Sequence, residues 1–402
     1  MPDEIRDESS TNETEQPKGS VGNTRLPFGL CAKYHIALPY DATPRDAWNA
    51  LRSGVGLTPD KVYAELKKKE SAKQDGEEKQ LQEEKEEERI DAEKQTEKML
   101  SSNRIYDSKS MGTKKIVEQL KYGEENARGV TAKLFNDDSF AYRDNERSTA
   151  YFSGVNKVCL KKKTIDDQDH YERGETFYHE TWHAIDFNYG AQVQISAFGT
   201  EKVQPLSVTY KFDDGKTFKD IVDEEIKNIN FEDVKSEIKK EVKDYWATKG
   251  LDYDKVHKDF DDAIAKITAL RQAGKIDEAT SYRDSEEFKK IKEDHSQVAN
   301  KGYPPEITKK WSNLSDMYSS TKGNSISRTL VGMGHTASYW RNSSNARAIE
   351  MFAECASAKA VNPKSYETLK KYCPKTVKRF DEIFEKLKKG DIKSSGRREY
   401  QP

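Results

Sequence analysis

Long apolar runs are missing from this 402-residue chain. No stretch approaches the ~20 apolar residues that span a bilayer. The opening segment, MPDEIRDESSTNETEQPKGS, is polar and acidic and has no apolar leader core. A membrane role and export by a secretory leader are therefore not expected. Cysteine is scarce: Cys31, Cys159, Cys355 and Cys373 are scattered, with no CxxC pair. Free thiols in a reducing compartment are the expectation, rather than a disulfide framework. Neither sign of charge dominates, since 69 Lys and Arg against 71 Asp and Glu leave a net charge of -2. That balance argues against a duplex-nucleic-acid binder, which carries a basic surplus on one face. Apolar residues make up 34% of the chain, below the ~45–50% of an ordinary globular protein. A modest core with long solvated helices follows.

What is present divides unevenly along the chain. Residues 1–25 are polar and aperiodic and read as a disordered tail. Residues 26–62 read as a small helical module, in which Thr43 caps a helix opened by Pro44 with Ala47, Trp48 and Leu51 on its apolar stripe. Residues 63–110 are dominated by Glu and Lys at helical spacing and read as a charged helix or linker. From residue 111 to 402 the composition is mixed. IVEQLKYG reads as a short helix ended by Gly123, whereas VTAKLFND, FAYRDN and TAYFSGVNKVCLKKKTID read as short strands. A polar helical insertion is expected over about 215–310, amphipathic through Ile221, Ile226, Ile229, Val234, Ile238, Val242 and Trp246. The chain closes on a helix broken or kinked at Pro374.

Histidine is also rare, seven in all, yet two of them fall four apart in GETFYHETWHAIDFN, Gly174 to Asn188. Random placement at these frequencies gives on the order of 0.01 matches to HExxH. A spacing of four sets His179 and His183 on one face of a helix, where both imidazoles can bind one Zn²⁺. Glu180 between them is placed to act as a general base toward a metal-bound water. Phe177, Trp182 and Ile185 supply the apolar face of this helix, which Thr176 or a neighbour caps. A catalytic zinc takes three protein ligands, so a third must come from elsewhere. His257 and His295 lie in charged helical sequence and read as surface residues. His335, in GMGHTASYW, is one candidate. Glu350 and Glu354, four apart in AIEMFAECASA between Ile349, Met351 and Phe352, are the stronger pair, because a carboxylate among such neighbours needs a partner or a cation.

HETWHAID followed by EMFAE resembles the gluzincin pattern of lethal-factor-type and proline-proline endopeptidase metalloproteases. The chain is also similar to metallopeptidase-like domains in minor head proteins of tailed phages, through GLCAKYHIALP, TPRDAW, GHTASYW and KKYCPKT. The resemblance implies an α+β fold, mainly helical, with a zincin-like core and a small sheet packed on the HExxH helix. It implies a zinc metallopeptidase in which His179, His183 and Glu350 ligate Zn²⁺ and Glu180 is the base. Glu354 then accepts a hydrogen bond from a ligand histidine, and Asp186 orients a histidine or braces the helix. The family's tyrosine, seven residues before the glutamate ligand, is replaced by Ser343. Tyr339 or His335 is left to stabilise the oxyanion.

The 166 residues between His183 and Glu350 exceed the family's usual gap, which points to a lid or an assembly surface. Expected partners are a peptide or protein substrate and phage portal or capsid proteins, in the host cytoplasm or the virion. The alternative is a head component whose zinc only stabilises the fold, or an effector delivered with the particle.

Overall fold

Among the described residues the structure is mostly helical, with two small sheets. The computed structural model describes residues 25–106, 113–138, 140–144, 151–153, 157–160, 171–194, 201–299, 303–321, 330–332 and 334–394. Residues 1–24 of the expected disordered tail lie outside them. The described chain divides into two units, Met1–Lys85 and Glu86–Pro402.

The first unit holds α1 (Leu26–Lys33), α2 (Pro44–Val55) and the first part of α3 (Pro59–Leu100). Thr43 caps α2 as expected: its hydroxyl accepts from the Asp46 N–H at 3.2 Å, and Asp46 accepts from the Thr43 N–H at 2.9 Å. The core here is small, with Cys31, Ala47 and Leu51 buried.

In the second unit the last turns of α3 bury Ala92, Thr96 and Met99. The main sheet is built from β1 (Ile105–Tyr106), β2 (Ala141–Asp144), β3 (Tyr151–Ser153) and β4 (Lys157–Leu160) in the order β1-β2-β4-β3. The first three run parallel, and β3 pairs antiparallel with β4. After α4 (Thr113–Val117) a 3-10 turn spans Glu118–Tyr122. The segment VTAKLFND, expected as a strand, is instead the second half of helix α5 (Glu125–Asp137). Of its buried residues, Ala127, Val130, Thr131, Leu134 and Phe135 follow a helical period that begins before Val130, with Ala132 buried beside them. β-branched content alone misassigns such a segment when its first turn is left out of the window.

The HExxH segment forms α6 (Glu175–Asn188). Its cap is Gly174 rather than Thr176, at φ 90°, a conformation that suits glycine because it lacks a Cβ. A Cβ there would also lie 3.2 Å from the carbonyl of Gln119. The sheet packs on α6 through Tyr142, whose ring stacks on Phe177 at 5.6 Å and whose hydroxyl meets Thr181 at 2.8 Å. After α6 comes an antiparallel hairpin, β5 (Ala191–Gln194) and β6 (Glu201–Gln204).

After the short α7 (Leu206–Thr209), the insertion contains α8 (Phe218–Asn228), α9 (Phe231–Thr248), α10 (Tyr253–Gln272), α11 (Ile276–Asp284) and α12 (Glu286–Ala299). The expected apolar stripe is split between α8 and α9, whose Ile221, Ile226, Val234, Ile238, Val242 and Trp246 are all buried. His257 and His295 are not freely exposed: they meet edge to face at 5.1 Å, and Phe260 stacks on His295 at 3.8 Å. The remaining helices are α13 (Pro305–Ser319), α14 (Ala337–Asn342), α15 (Ala346–Val361), α16 (Pro363–Tyr372) and α17 (Pro374–Lys389), with the break at Cys373 before Pro374.

One face of α6 is anchored by Trp182, which is 1% exposed and packs against Phe352, Phe380 and Phe384 at 5.6–5.9 Å. Its indole N–H donates to Thr131 at 3.1 Å. Burying an aromatic of this size contributes roughly 3 kcal/mol. No helix among the described residues is long and apolar enough to cross a membrane.

Candidate metal centre

Helices α6 and α15 pack antiparallel and carry polar residues into their buried interface. Glu175, His179, His183 and Asp186 recur at spacings of four, four and three along α6, which keeps them on one side of the helix. Across from them, Asn362, just beyond α15, donates to both oxygens of Glu175 at 3.2 Å. His179 Nε2 lies 3.2 Å and His183 Nε2 3.4 Å from Glu350 Oε2, and the two nitrogens are 3.0 Å apart. These three residues form a group able to hold one metal ion.

The triangle matches the size of a zinc face. Tetrahedral bonds of about 2.0–2.1 Å separate ligand atoms by about 3.3 Å, and a point at that bond length from all three atoms lies about 0.9 Å off their plane. The donor set also fits. Glu350 is 1% exposed, and among the described residues its buried Oε2 has no hydrogen-bond partner, while Oε1 accepts from the Tyr339 hydroxyl. One oxygen is thus held and the other is aimed at the two imidazoles. Buried carboxylates cost several kcal/mol each unless compensated.

Electrostatics binds the group together. Burial works against a charged His179, but the carboxylates of Glu354 and Glu350 overcome it and raise the imidazole well above its ordinary value. Burial also works against an ionised Glu350, yet His183 and His179 hold it well below the usual carboxylate range. Burial pushes the Glu180 carboxyl up, opposed by His179 and His183.

The outer contacts are unequal. Glu354 Oε1 lies 3.7 Å from His179 Nδ1, which puts it behind that histidine. Asp186 is fully buried, but its two oxygens accept from the N–H and hydroxyl of Ser207 at 2.7 and 2.8 Å. It braces α6 against α7, and among the described residues His183 Nδ1 has no hydrogen-bond partner.

His335 and Tyr339 stand on the other side of Glu350. Their rings stack at 4.1 Å, and His335 Nε2 is 3.9 Å from Glu350 Oε1. Asp316 accepts from the His335 N–H at 2.7 Å and from Nδ1 at 2.8 Å. Burial opposes charge on His335, but Asp316 and Glu350 outweigh it, and its pKa is pushed up to about 9. Asp316, His335 and Glu350 are close enough to be a second cation group. The two bonds from His335 already engage both Asp316 oxygens, so the pair reads as a carboxylate holding an imidazole. With Nδ1 engaged, Nε2 is the nitrogen left to face the site. The Tyr339 hydroxyl is engaged with Glu350.

Sequence reasoning missed Asp316 and Asn313, which reach the site from α13. Asn313 donates to Glu354 Oε2. The available signal was the composition of α13, a helix buried on nearly every side that nonetheless carries Thr308, Ser312, Asn313, Ser315, Asp316 and Ser319 inside. A scan against protein-family models, a search of curated proteins and a search of solved structures each found no match.

Proposed function

We propose that the protein is a zinc-dependent peptidase with a zincin-like core, in which His179, His183 and Glu350 hold Zn²⁺ and Glu180 is the general base. The observation that carries this reading is the convergence of two Nε2 atoms and one carboxylate oxygen within 3.4 Å of one another, with a raised carboxyl, Glu180, beside them. When bound, Zn²⁺ supplies Lewis-acid polarisation of a carbonyl and lowers the pKa of water toward about 7.

The chain's own groups do the rest. Glu180, whose carboxyl burial pushes above its ordinary value, takes the proton from the attacking water and delivers it to the departing amine. His335, locked by Asp316, presents Nε2–H to the oxygen on which negative charge develops. Tyr339 holds Glu350 Oε1 and thereby its other oxygen. Glu180 also separates this reading from a purely structural zinc, which has no use for a base beside its ligands.

The test is to measure bound metal in the full chain and compare wild type with Glu180→Ala on a peptide library. About one zinc per chain in both, with cleavage by wild type alone, is expected. A wild type that binds no zinc, or that binds zinc and cleaves no peptide in the library, overturns the proposal. Phage portal and capsid proteins, the partners suggested by the short sequence resemblances, belong in the same substrate panel.

A further inference from the structure

The Glu354 carboxylate is held on its far side by an amide that nothing in the HExxH pattern anticipates. Asn313 is 2% exposed and sits on α13, whereas Glu354 is on α15. A carboxylate accepts and does not donate, so the Asn313 NH₂ must face Glu354 Oε2 and its carbonyl must face away. On that side the carbonyl accepts from the hydroxyl of Ser365, fully buried on α16, and from Ser312 at 3.2 Å. Three helices therefore fix the orientation of one amide.

The consequence falls on His179. With Oε2 occupied by Asn313, the free oxygen of Glu354 is Oε1, which lies 3.7 Å from His179 Nδ1. A carboxylate there favours the tautomer with hydrogen on Nδ1 and the lone pair on Nε2, the atom that faces Glu350 and His183. Among the described residues His183 Nδ1 has no hydrogen-bond partner. The supporting contacts for the pair of histidines are thus concentrated on His179.

We propose that Asn313 is a positioning residue: clamped by Ser365 and Ser312, it aims Glu354 at His179 Nδ1 and so sets the affinity of the site for a divalent cation. This rests on the zinc reading above. Removing such an outer contact costs about 10–100-fold in metal affinity where it acts through a ligand histidine.

The experiment is a Zn²⁺ competition titration against a chromophoric chelator on the full chain, with Asn313→Leu, Glu354→Gln and the double variant. Asn313→Leu is expected to weaken zinc binding by about 10-fold or more, and to lose most of that effect in the Glu354→Gln background. An equal loss in both backgrounds means that Asn313 acts on the fold alone, and overturns the proposal. Ser365→Ala, a smaller change, is expected to weaken binding severalfold and to alter the visible spectrum of the Co²⁺-substituted protein. It decides the matter if Asn313→Leu does not fold: affinity and spectrum identical to wild type overturn the proposal. Zinc bound by wild type and equally by Asn313→Leu removes this inference alone. A wild type without zinc removes the reading beneath it as well.

Discussion

Asp316 accepts two hydrogen bonds from a single residue, His335, one from its main-chain N–H at 2.7 Å and one from Nδ1 at 2.8 Å. The first fixes where the residue sits and the second fixes which ring nitrogen faces the site. A histidine held at both points is oriented before any substrate arrives, and its charge is favoured by the same carboxylate.

The pH dependence of this pair is directly measurable. The folded-state pKa of His335 is raised to about 9, above an unfolded value of about 6.5. Its contribution to stability is therefore complete below pH ~6.5 and lost as pH rises through about 9. In the metal-free protein, Asp316→Asn is expected to lower the His335 pKa by about one unit or more in an NMR titration. The variant's loss of stability is expected to be larger at pH 6 than at pH 9.5. An unchanged imidazole titration would show that Asp316 does not govern His335.

Glu175 gives a trend of the same direction from a buried acid. It is 3% exposed, and burial raises its carboxyl to about 7, although the Glu172 N–H and Asn362 pull the other way. A carboxyl raised above its unfolded value stabilises the fold most below pH ~4.5, and that contribution is lost as pH rises through about 7. Glu175→Gln imitates the protonated form. Chemical denaturation is expected to find it more stable than wild type at pH 8.5, by on the order of 1–3 kcal/mol, and little different at pH 5. Equal stability at both pH values would contradict the raised pKa.

Removing metal offers a third check. A ligand present at about 100 times its dissociation constant stabilises the folded state by about 2.7 kcal/mol. Stripping zinc with a chelator is therefore expected to lower the melting temperature of wild type by several degrees. His183→Ala should melt at one temperature with or without chelator. A chelator-sensitive His183→Ala protein would place the bound metal elsewhere.

Asp186 separates support of the helix from support of the metal. Both its oxygens are committed to Ser207, so Asp186→Ala leaves two buried donors unpaired, at about 1–3 kcal/mol each. The unfolding free energy from chemical denaturation is expected to fall by roughly 2–5 kcal/mol, while zinc affinity of the folded protein stays within about threefold of wild type. A tenfold loss of zinc affinity would reassign Asp186 to the metal site.

Much of the site was legible because helical spacing is local. His179, Glu180 and His183 were readable together, and so were Glu350 and Glu354, since an i,i+4 pair shares a face wherever the helix packs. Asn313 and Asp316 were not, because an amide or a carboxylate in a helix carries no sign of which distant side chain it will meet. The strand assignment of VTAKLFND failed for a related reason: Val130 and Thr131 have β character, yet Thr131 spends its hydroxyl on Ala127 O and Trp182 inside a helical core. The β5–β6 hairpin escaped notice because Gln, Glu and Lys flank its few apolar residues.

By itself, the sequence determined the mainly helical character, the capped α2 and the alignment of two histidines on one side of α6. These depend on spacing over one or two turns. That Glu350 Oε2 meets both imidazoles across 166 intervening residues, and that Asn313 of α13 donates to Glu354, came from the tertiary structure. Those contacts depend on how α6, α13 and α15 pack, and the strength of packing depends on shape and burial rather than on separation along the chain.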